Sequence, residues 1–376
     1  MAGRTQDALY AEIDLELSWS EDQLPQFERT KHVHALHPYL GKYVPQLVET
    51  FLRRFFEPGD RIYDPFVGSG TTLVEANAFG ANAVGCDISA FNCLLSRVKT
   101  TQYSLATLEM ALRVALEEAR QAAPADTSHA TPWLSSWFSP RALGELIACE
   151  RASERLADPA RDVARIILSR SARSARLTTH YDLDFPRAPT HGEYYCHKHK
   201  RTCRPVDEAA KFLRRYTLDT IRRLRDFSAV QSRATVDVLH EDSRFVRLPE
   251  RITGVITSPP YPGLIDYHEQ HRYAYELLGL KDRRGEELGA AEKGNSRGAT
   301  AEYSGGIVDV LVNARKQLDG EGPLVIVVND SRNLYPEILS RSGLRLVDQL
   351  TRHVNRRTGR RAGEYYEDVL ICAPES

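Results

Sequence analysis

Ile62-Tyr-Asp-Pro-Phe-Val-Gly-Ser-Gly-Thr-Thr-Leu73 is a short apolar run that ends in an acid and a proline, followed by a Gly-x-Gly turn and two threonines. From Leu73 to Asn77 the residues have helical character. Strand, tight turn and helix in this order bring a small ligand against bare backbone at the strand's carboxyl end. Gly68 and Gly70 allow backbone angles and close approaches that a side chain forbids. Two other glycine loops do not fit. A dinucleotide fingerprint needs a third glycine where Leu73 stands, and a phosphate loop needs lysine where Thr71 stands.

Asp64-Pro-Phe-Val-Gly-Ser-Gly-Thr-Thr72 resembles the S-adenosylmethionine loop of the amino-methylating DNA methyltransferases. The resemblance implies that Asp64, Pro65, Phe66, Gly68, Ser69, Gly70, Thr71 and Thr72 hold the methionine end of that cofactor. It also gives His37, Pro38 and Tyr39, ahead of the loop, the task of covering the same end; the plainer reading is a polar entry loop.

Outward from this loop, Pro45 to Phe56 has apolar side chains at helical spacing and stops before Pro58-Gly-Asp. Residues 81–89 read as a second parallel strand. Asp87 and Ile88 lie at its carboxyl end, about 20 residues past the glycine turn, where an acid accepts hydrogen bonds from both ribose hydroxyls. The rival reading makes Asp87 a helix N-cap. Strand three is 234–240, after which Asp242 falls where the related enzymes bind the adenine amine, with Glu241 as the alternative. Strand four, Ile252 to Thr257, runs into Ser258-Pro-Pro-Tyr261. The run 323–329 and two segments at 344–350 and 366–373 make seven strands, the last two a hairpin-like antiparallel edge.

Two adjacent prolines after a strand remove two backbone donors and leave a rigid turn. An exocyclic nucleobase amine is a poor nucleophile, and acceptors around its hydrogens stabilise positive charge as it reacts. Ser258 and the Pro259 carbonyl are suited to that, Pro260 stiffens the turn, and Tyr261 offers a stacking face to a base that has left the duplex. Ser-Pro-Pro-Tyr resembles the N4-cytosine branch of the family, and Asp-Pro-Pro-Tyr its N6-adenine branch. Adenine, RNA, or a silent nucleic-acid-binding module are the competing readings. The cofactor motif precedes the catalytic one here, whereas many relatives have the reverse order. The resemblance covers 37–90 and 235–373.

Between strands two and three the chain turns rich in Ala, Arg, Leu and Glu, with four helical segments at 107–123, 140–156, 162–172 and 206–227. The expected architecture is α/β: a doubly wound, mostly parallel seven-stranded sheet of the class I methyltransferase kind with a helical insertion. Residues 28–104 and 232–376 would form the catalytic domain, 105–231 a DNA-reading insertion, and 1–27 an arm or short helix. The segment 281–301, polar and glycine-bearing, is either a surface loop or one that closes on substrate.

With 376 residues, 42% hydrophobic and 27% charged, the composition is that of a globular protein. No apolar run approaches a membrane span or a signal peptide. Six scattered cysteines point to reduced thiols, hence a cytoplasmic protein, and the DNA substrate that the resemblance implies would make it nucleoid-associated. The net charge is −1, so any face for double-stranded DNA must be a local concentration of base. Three are available: Lys198, Lys200 and Arg201 among aromatics; Arg214 and Arg215 on the fourth helical segment; and Arg352, Arg356, Arg357 and Arg360 before the last strand. Cys196, His197, His199 and Cys203 invite a zinc reading. Four ligands in so short a stretch need an unusually tight wrap, so no metal is expected and the stretch reads as a phosphate-contacting loop. A cognate restriction endonuclease is the expected partner in the cell.

Overall fold

The computed structural model describes residues 15–20, 22–183, 186–263, 265–294, 296–354 and 365–375. Its strands are β1 (Arg61–Asp64), β2 (Asn82–Cys86), β3 (Tyr194–Cys196), β4 (Arg201–Cys203), β5 (Val236–Leu239), β6 (Gly254–Thr257), β7 (Leu324–Val328), β8 (Leu344–His353) and β9 (Tyr366–Pro374). Seven of them form one sheet in the order β5-β2-β1-β6-β7-β9-β8. β5, β2, β1, β6 and β7 are parallel, and β9 is antiparallel to both its neighbours. This is the class I methyltransferase sheet. The last two strands pair antiparallel, but β9 sits inside, leaving β8 alone at the edge. Burial explains the order: Val369 to Ala373 of β9 are all buried, whereas β8 is exposed from Arg345 to Gln349, half its length.

Side-chain alternation builds a core on each face of the sheet. Tyr63, Leu324, Ile326 and Val328 pack on one face. Ile62, Val325 and Val327 pack on the other, against Leu47, Val48 and Phe51 of helix α1 (Pro45–Phe55). Helices α2 (Thr71–Phe79) and α3 (Ala90–Thr100) follow β1 and β2. The insertion supplies α4 (Leu105–Ala122), α5 (Pro140–Ser153), α6 (Ala160–Ala175) and α7 (Ala210–Ser228). Their apolar stripes form one continuous cluster with Phe91 and Leu95 of α3 and Tyr273 beyond the Ser258–Tyr261 turn. Within the insertion, β3 and β4 make a small antiparallel hairpin where the sequence suggests only a loop.

The amino-terminal segment packs along the sheet edge. Leu17 is buried, its carbonyl accepts from Arg352 Nε at 3.1 Å, and Ser18 Oγ accepts from His353 N–H at 2.9 Å. Among the described residues no helix is long and apolar enough to cross a membrane.

Candidate active site

The chain leaves β1 toward β2 and β5 on one side, and β6 begins the other side, so the strand order reverses between β1 and β6. Such a switch point leaves a crevice at the strands' carboxyl ends. Here it is a cleft of about 840 Å³, its open mouth included, lined by the turns that follow β1, β2, β5 and β6.

The turn after β1 divides its residues between two tasks. Pro65, Phe66, Gly68, Ser69 and Thr71 line the cleft. Gly68 has a φ of +47°, and a Cβ there would stand 3.1 Å from the Tyr39 hydroxyl, across the cleft wall. Asp64, Gly70 and Thr72 do not line it, contrary to a direct role in holding ligand. Asp64 is 1% exposed; it accepts from Thr72 Oγ1 at 2.6 Å, Thr257 Oγ1 at 2.7 Å and the Phe66 N–H at 3.1 Å, so it ties β1 to α2 and β6. Gly70, with φ +78°, lies against α3, where a Cβ would come within 2.8 Å of Ser96 Oγ.

Burial pushes the Asp64 carboxyl up to about 6, against the donors from Thr72, Thr257 and Phe66 that lower it. The folded chain therefore binds this proton more readily than the unfolded chain, in which the carboxyl titrates at 3.8. Its contribution to stability is full below that value and is lost as pH rises through about 6. The stability of the parent minus that of Asp64→Asn should fall by about 1.5 kcal/mol between pH 5 and 7.5. Urea unfolding at both pH values checks this; an opposite slope would mean the carboxylate is stabilised, not strained, by its site.

Asp87 follows β2 at the cleft wall beside Ile88. Its carboxylate accepts from the Gly68 N–H at 2.9 Å, the Ser89 N–H at 2.9 Å and Asn92 Nδ2 at 3.0 Å. Burial raises its pKa, while these donors oppose the rise. The N-cap of α3 is Ser89, whose hydroxyl accepts from the Asn92 N–H, which leaves Asp87 facing the cleft. Asp242 also lines the cleft, but Arg244 grips both its oxygens, with Nη2 at 2.6 Å. Desolvation would raise this carboxyl; the Arg244 bonds outweigh it and hold it below the usual range. Glu241 is exposed and outside the lining.

Of His37, Pro38 and Tyr39 it is Tyr39 that reaches the cleft, its ring stacked near Tyr267 and His271, with Gly41, Lys42 and Tyr43 lining the wall after it. His37 and Pro38 do not. His37 is fully buried, with Nε2 3.1 Å from Ser169 Oγ of α6 and its ring beside Phe91 and Tyr273, so it joins the insertion to the sheet.

Of the turn after β6, Ser258 and Pro260 line the same cleft, while Pro259 is buried and Tyr261 stands outside the lining. The Tyr261 hydroxyl donates to Glu367 Oε1 at 3.1 Å, and Arg352 Nη1 donates to Glu367 Oε2 at 3.1 Å. Burial pushes the Tyr261 phenol well above its usual range, with the Glu367 charge adding to the rise.

Several residues here escape sequence reasoning. Lys99 of α3 is fully buried and donates to the Ser69 carbonyl at 2.5 Å, bracing the glycine turn from behind. Nothing in its spacing marks it, since the deciding contact is with Ser69, 30 residues away. Tyr267, His268 and Glu287 complete the rim, with Glu287 accepting from the Tyr267 N–H and facing His268 Nδ1, each at 2.8 Å. Glu286, Glu287 and Leu288 thus bring the 281–301 loop onto the cleft.

A family profile described as DNA methylase matches residues 11–97. The Type II methyltransferase M.MjaII of Methanocaldococcus jannaschii is 37% identical over 97% of this chain and 84% of its own length. The chain belongs to the DNA amino-methyltransferase family. The Type II methyltransferase M.MvaI of Kocuria varians matches 21% of the chain and 18% of its own length at 38% identity. Among solved structures, TrmN from Thermus thermophilus aligns at a TM-score of 0.34 with 13% identity, over 89% of this chain and 50% of that one.

The cofactor of this amino-methyltransferase is S-adenosylmethionine, and the cleft suits it. Phe66, Ile88 and Tyr39 offer apolar walls, the bare backbone at Gly68 permits close approach, and Asp87 offers acceptors for a ribose.

The methyltransferase's basic residues sort by environment. Arg352 is 4% exposed and satisfies Glu367 and the Leu17 carbonyl, so it is no phosphate contact. Arg356, Arg357 and Arg360 lie outside the described residues. Lys198, Lys200 and Arg201 are exposed on the β3–β4 hairpin. On α7, Arg222 and Arg223 are paired with Asp219, and Arg225 with Glu109. Arg214 and Arg215 are exposed and take part in no ion pair among the described residues; Arg215 lies 5.9 Å from the Tyr216 ring.

Phosphate contacts release counterions, so their loss reduces the salt dependence of binding. Replacing Arg214 and Arg215 with alanine should lower the slope of log affinity against log salt by roughly two, about one per contact. Arg352→Ala should leave that slope unchanged and lower the melting temperature instead. Fluorescence anisotropy over a salt series and thermal melts separate the two; a reduced slope for Arg352→Ala would return it to the DNA face.

The cysteines of the hairpin also find a setting. Cys196 and His199 converge with Cys203, but His197 stands exposed against Tyr195 and Tyr181. The fourth member of the cluster is His180, from the segment after α6.

Proposed function

We propose that this chain methylates the exocyclic N4 amine of a cytosine flipped out of double-stranded DNA, as the modification half of a restriction system. One observation carries the reading: Ser258 and Pro260 line the same cleft as Gly68 and Asp87. An amine seated at the Ser-Pro-Pro-Tyr turn therefore faces the region suited to the cofactor. When bound, S-adenosylmethionine supplies an electrophilic methyl group.

The protein's own part is positional and electrostatic. The Ser258 hydroxyl oxygen, on the cleft wall, accepts one amine hydrogen, helping to draw the nitrogen lone pair out of conjugation and stabilising the positive charge that develops. Tyr261 braces the turn from outside the cleft lining, its hydroxyl fixed by Glu367 and, through it, by Arg352. Target amines inside a duplex are out of reach, so the base must leave the stack. Serine in the first position of the turn is what favours cytosine over adenine, by likeness to the N4 branch. The exposed base on the hairpin and α7 suits the DNA backbone. Incubation with methyl-labelled cofactor and duplex DNA or RNA should label DNA alone, with N4-methylcytosine recovered after digestion. Label in RNA or in N6-methyladenine would contradict the reading.

A further inference from the structure

We propose that His180, Cys196, His199 and Cys203 form a structural zinc site that clamps the β3–β4 hairpin to the segment after α6. The sequence alone argues against zinc because it offers four ligands in one short run. The folded chain removes that objection by turning His197 outward and bringing in His180, sixteen residues before Cys196.

The geometry carries the assignment. Zinc–sulfur bonds of about 2.3 Å and zinc–nitrogen bonds of about 2.0–2.1 Å at tetrahedral angles require edges of about 3.6 Å between S and N and about 3.3 Å between N and N. Here His180 Nδ1 and His199 Nδ1 are 3.2 Å apart. Cys196 Sγ lies 3.6 Å from His199 Nδ1 and 3.9 Å from His180 Nδ1, and Cys203 Sγ lies 3.5 Å from His199 Nδ1. All four ligand atoms fall within 4.8 Å of one another. Two thiolates and two imidazoles are a zinc donor set, and the two thiolate charges balance the ion.

The local chain is built for the purpose. Cys196 ends β3 and Cys203 ends β4, and the turn between them closes through the His199 N–H on the Cys196 carbonyl at 3.2 Å, with Lys200 at φ +51°. The Tyr194 hydroxyl accepts from the His180 N–H at 2.9 Å, aligning the fourth ligand. A hairpin with three residues per strand is marginal without such a fastening. The other histidine cluster differs: His34 Nε2 and Lys31 Nζ already occupy both oxygens of Glu75, at 2.6 and 3.0 Å.

Elemental analysis of the full chain purified without chelator should find about one zinc per chain. His197→Ala should retain it, and His180→Ala should lose most of it. The cobalt-loaded protein should show the intense visible absorption of tetrahedral thiolate-bound cobalt, saturating at one equivalent and absent in Cys196→Ser, Cys203→Ser. If the double variant does not fold, the parent's cobalt titration and the two single histidine variants decide the matter. Parent protein without zinc after growth in zinc-supplemented medium would overturn the proposal. So would a Cys196–Cys203 disulfide in its place, or zinc lost in His197→Ala but kept in His180→Ala.

Discussion

Ser258→Ala is expected to lower the single-turnover methylation rate on a cognate duplex by a factor of about 10²–10³, the loss that follows removal of one preorganised group aimed at developing charge. The effect belongs to the chemical step. Ser258 stands on the turn after β6, while the glycine turn and Asp87 stand on β1 and β2, so cofactor affinity should remain near that of the parent. The serine hydroxyl also bonds the buried Tyr261 phenol, so a thermal melt beside the rate measurement separates lost chemistry from lost packing. A near-parental rate would move the acceptor elsewhere. A parallel loss of cofactor binding would make the turn part of the cofactor site instead.

Asp87→Ala should weaken S-adenosylmethionine binding by at least about 100-fold. Two charge-assisted hydrogen bonds to the ribose are each worth about 1.5–3 kcal/mol, and every 1.4 kcal/mol is tenfold in Kd. The substitution also frees the Gly68 and Ser89 N–H groups, which Asp87 now holds together across the turns of β1 and β2. Asp87→Asn, which keeps an acceptor and loses the charge, should fall between. Calorimetric titration of the three proteins checks the series; parental affinity in Asp87→Ala would place the adenosine away from β2.

Local motifs carried much of this site into view. Gly68, Asp87 and Ser258 each follow a strand at the point where a parallel sheet opens, and that relation depends on neighbours in the chain. Roles set by distant partners were not legible. Asp64 sits in the loop motif, yet its hydrogen bonds go inward to Thr72 and to Thr257, 193 residues away. Arg352 counts as one more surface charge until β9 brings Glu367 beside it. Likewise His37 reads as a ligand cover until α6 arrives with Ser169, and Cys196 lacks its partner until the chain after α6 returns with His180. In each case the deciding contact is made by tertiary packing of segments whose sequence spacing carries no signal.

The central claim, amine methylation of cytosine in DNA at the Ser258 turn, meets its most direct test in nucleoside mass spectrometry of genomic DNA from cells expressing the parent or Ser258→Ala. N4-methylcytosine should accumulate with the parent and fall to background with the variant. N6-methyladenine in place of N4-methylcytosine, or equal methylation by both proteins, would contradict it.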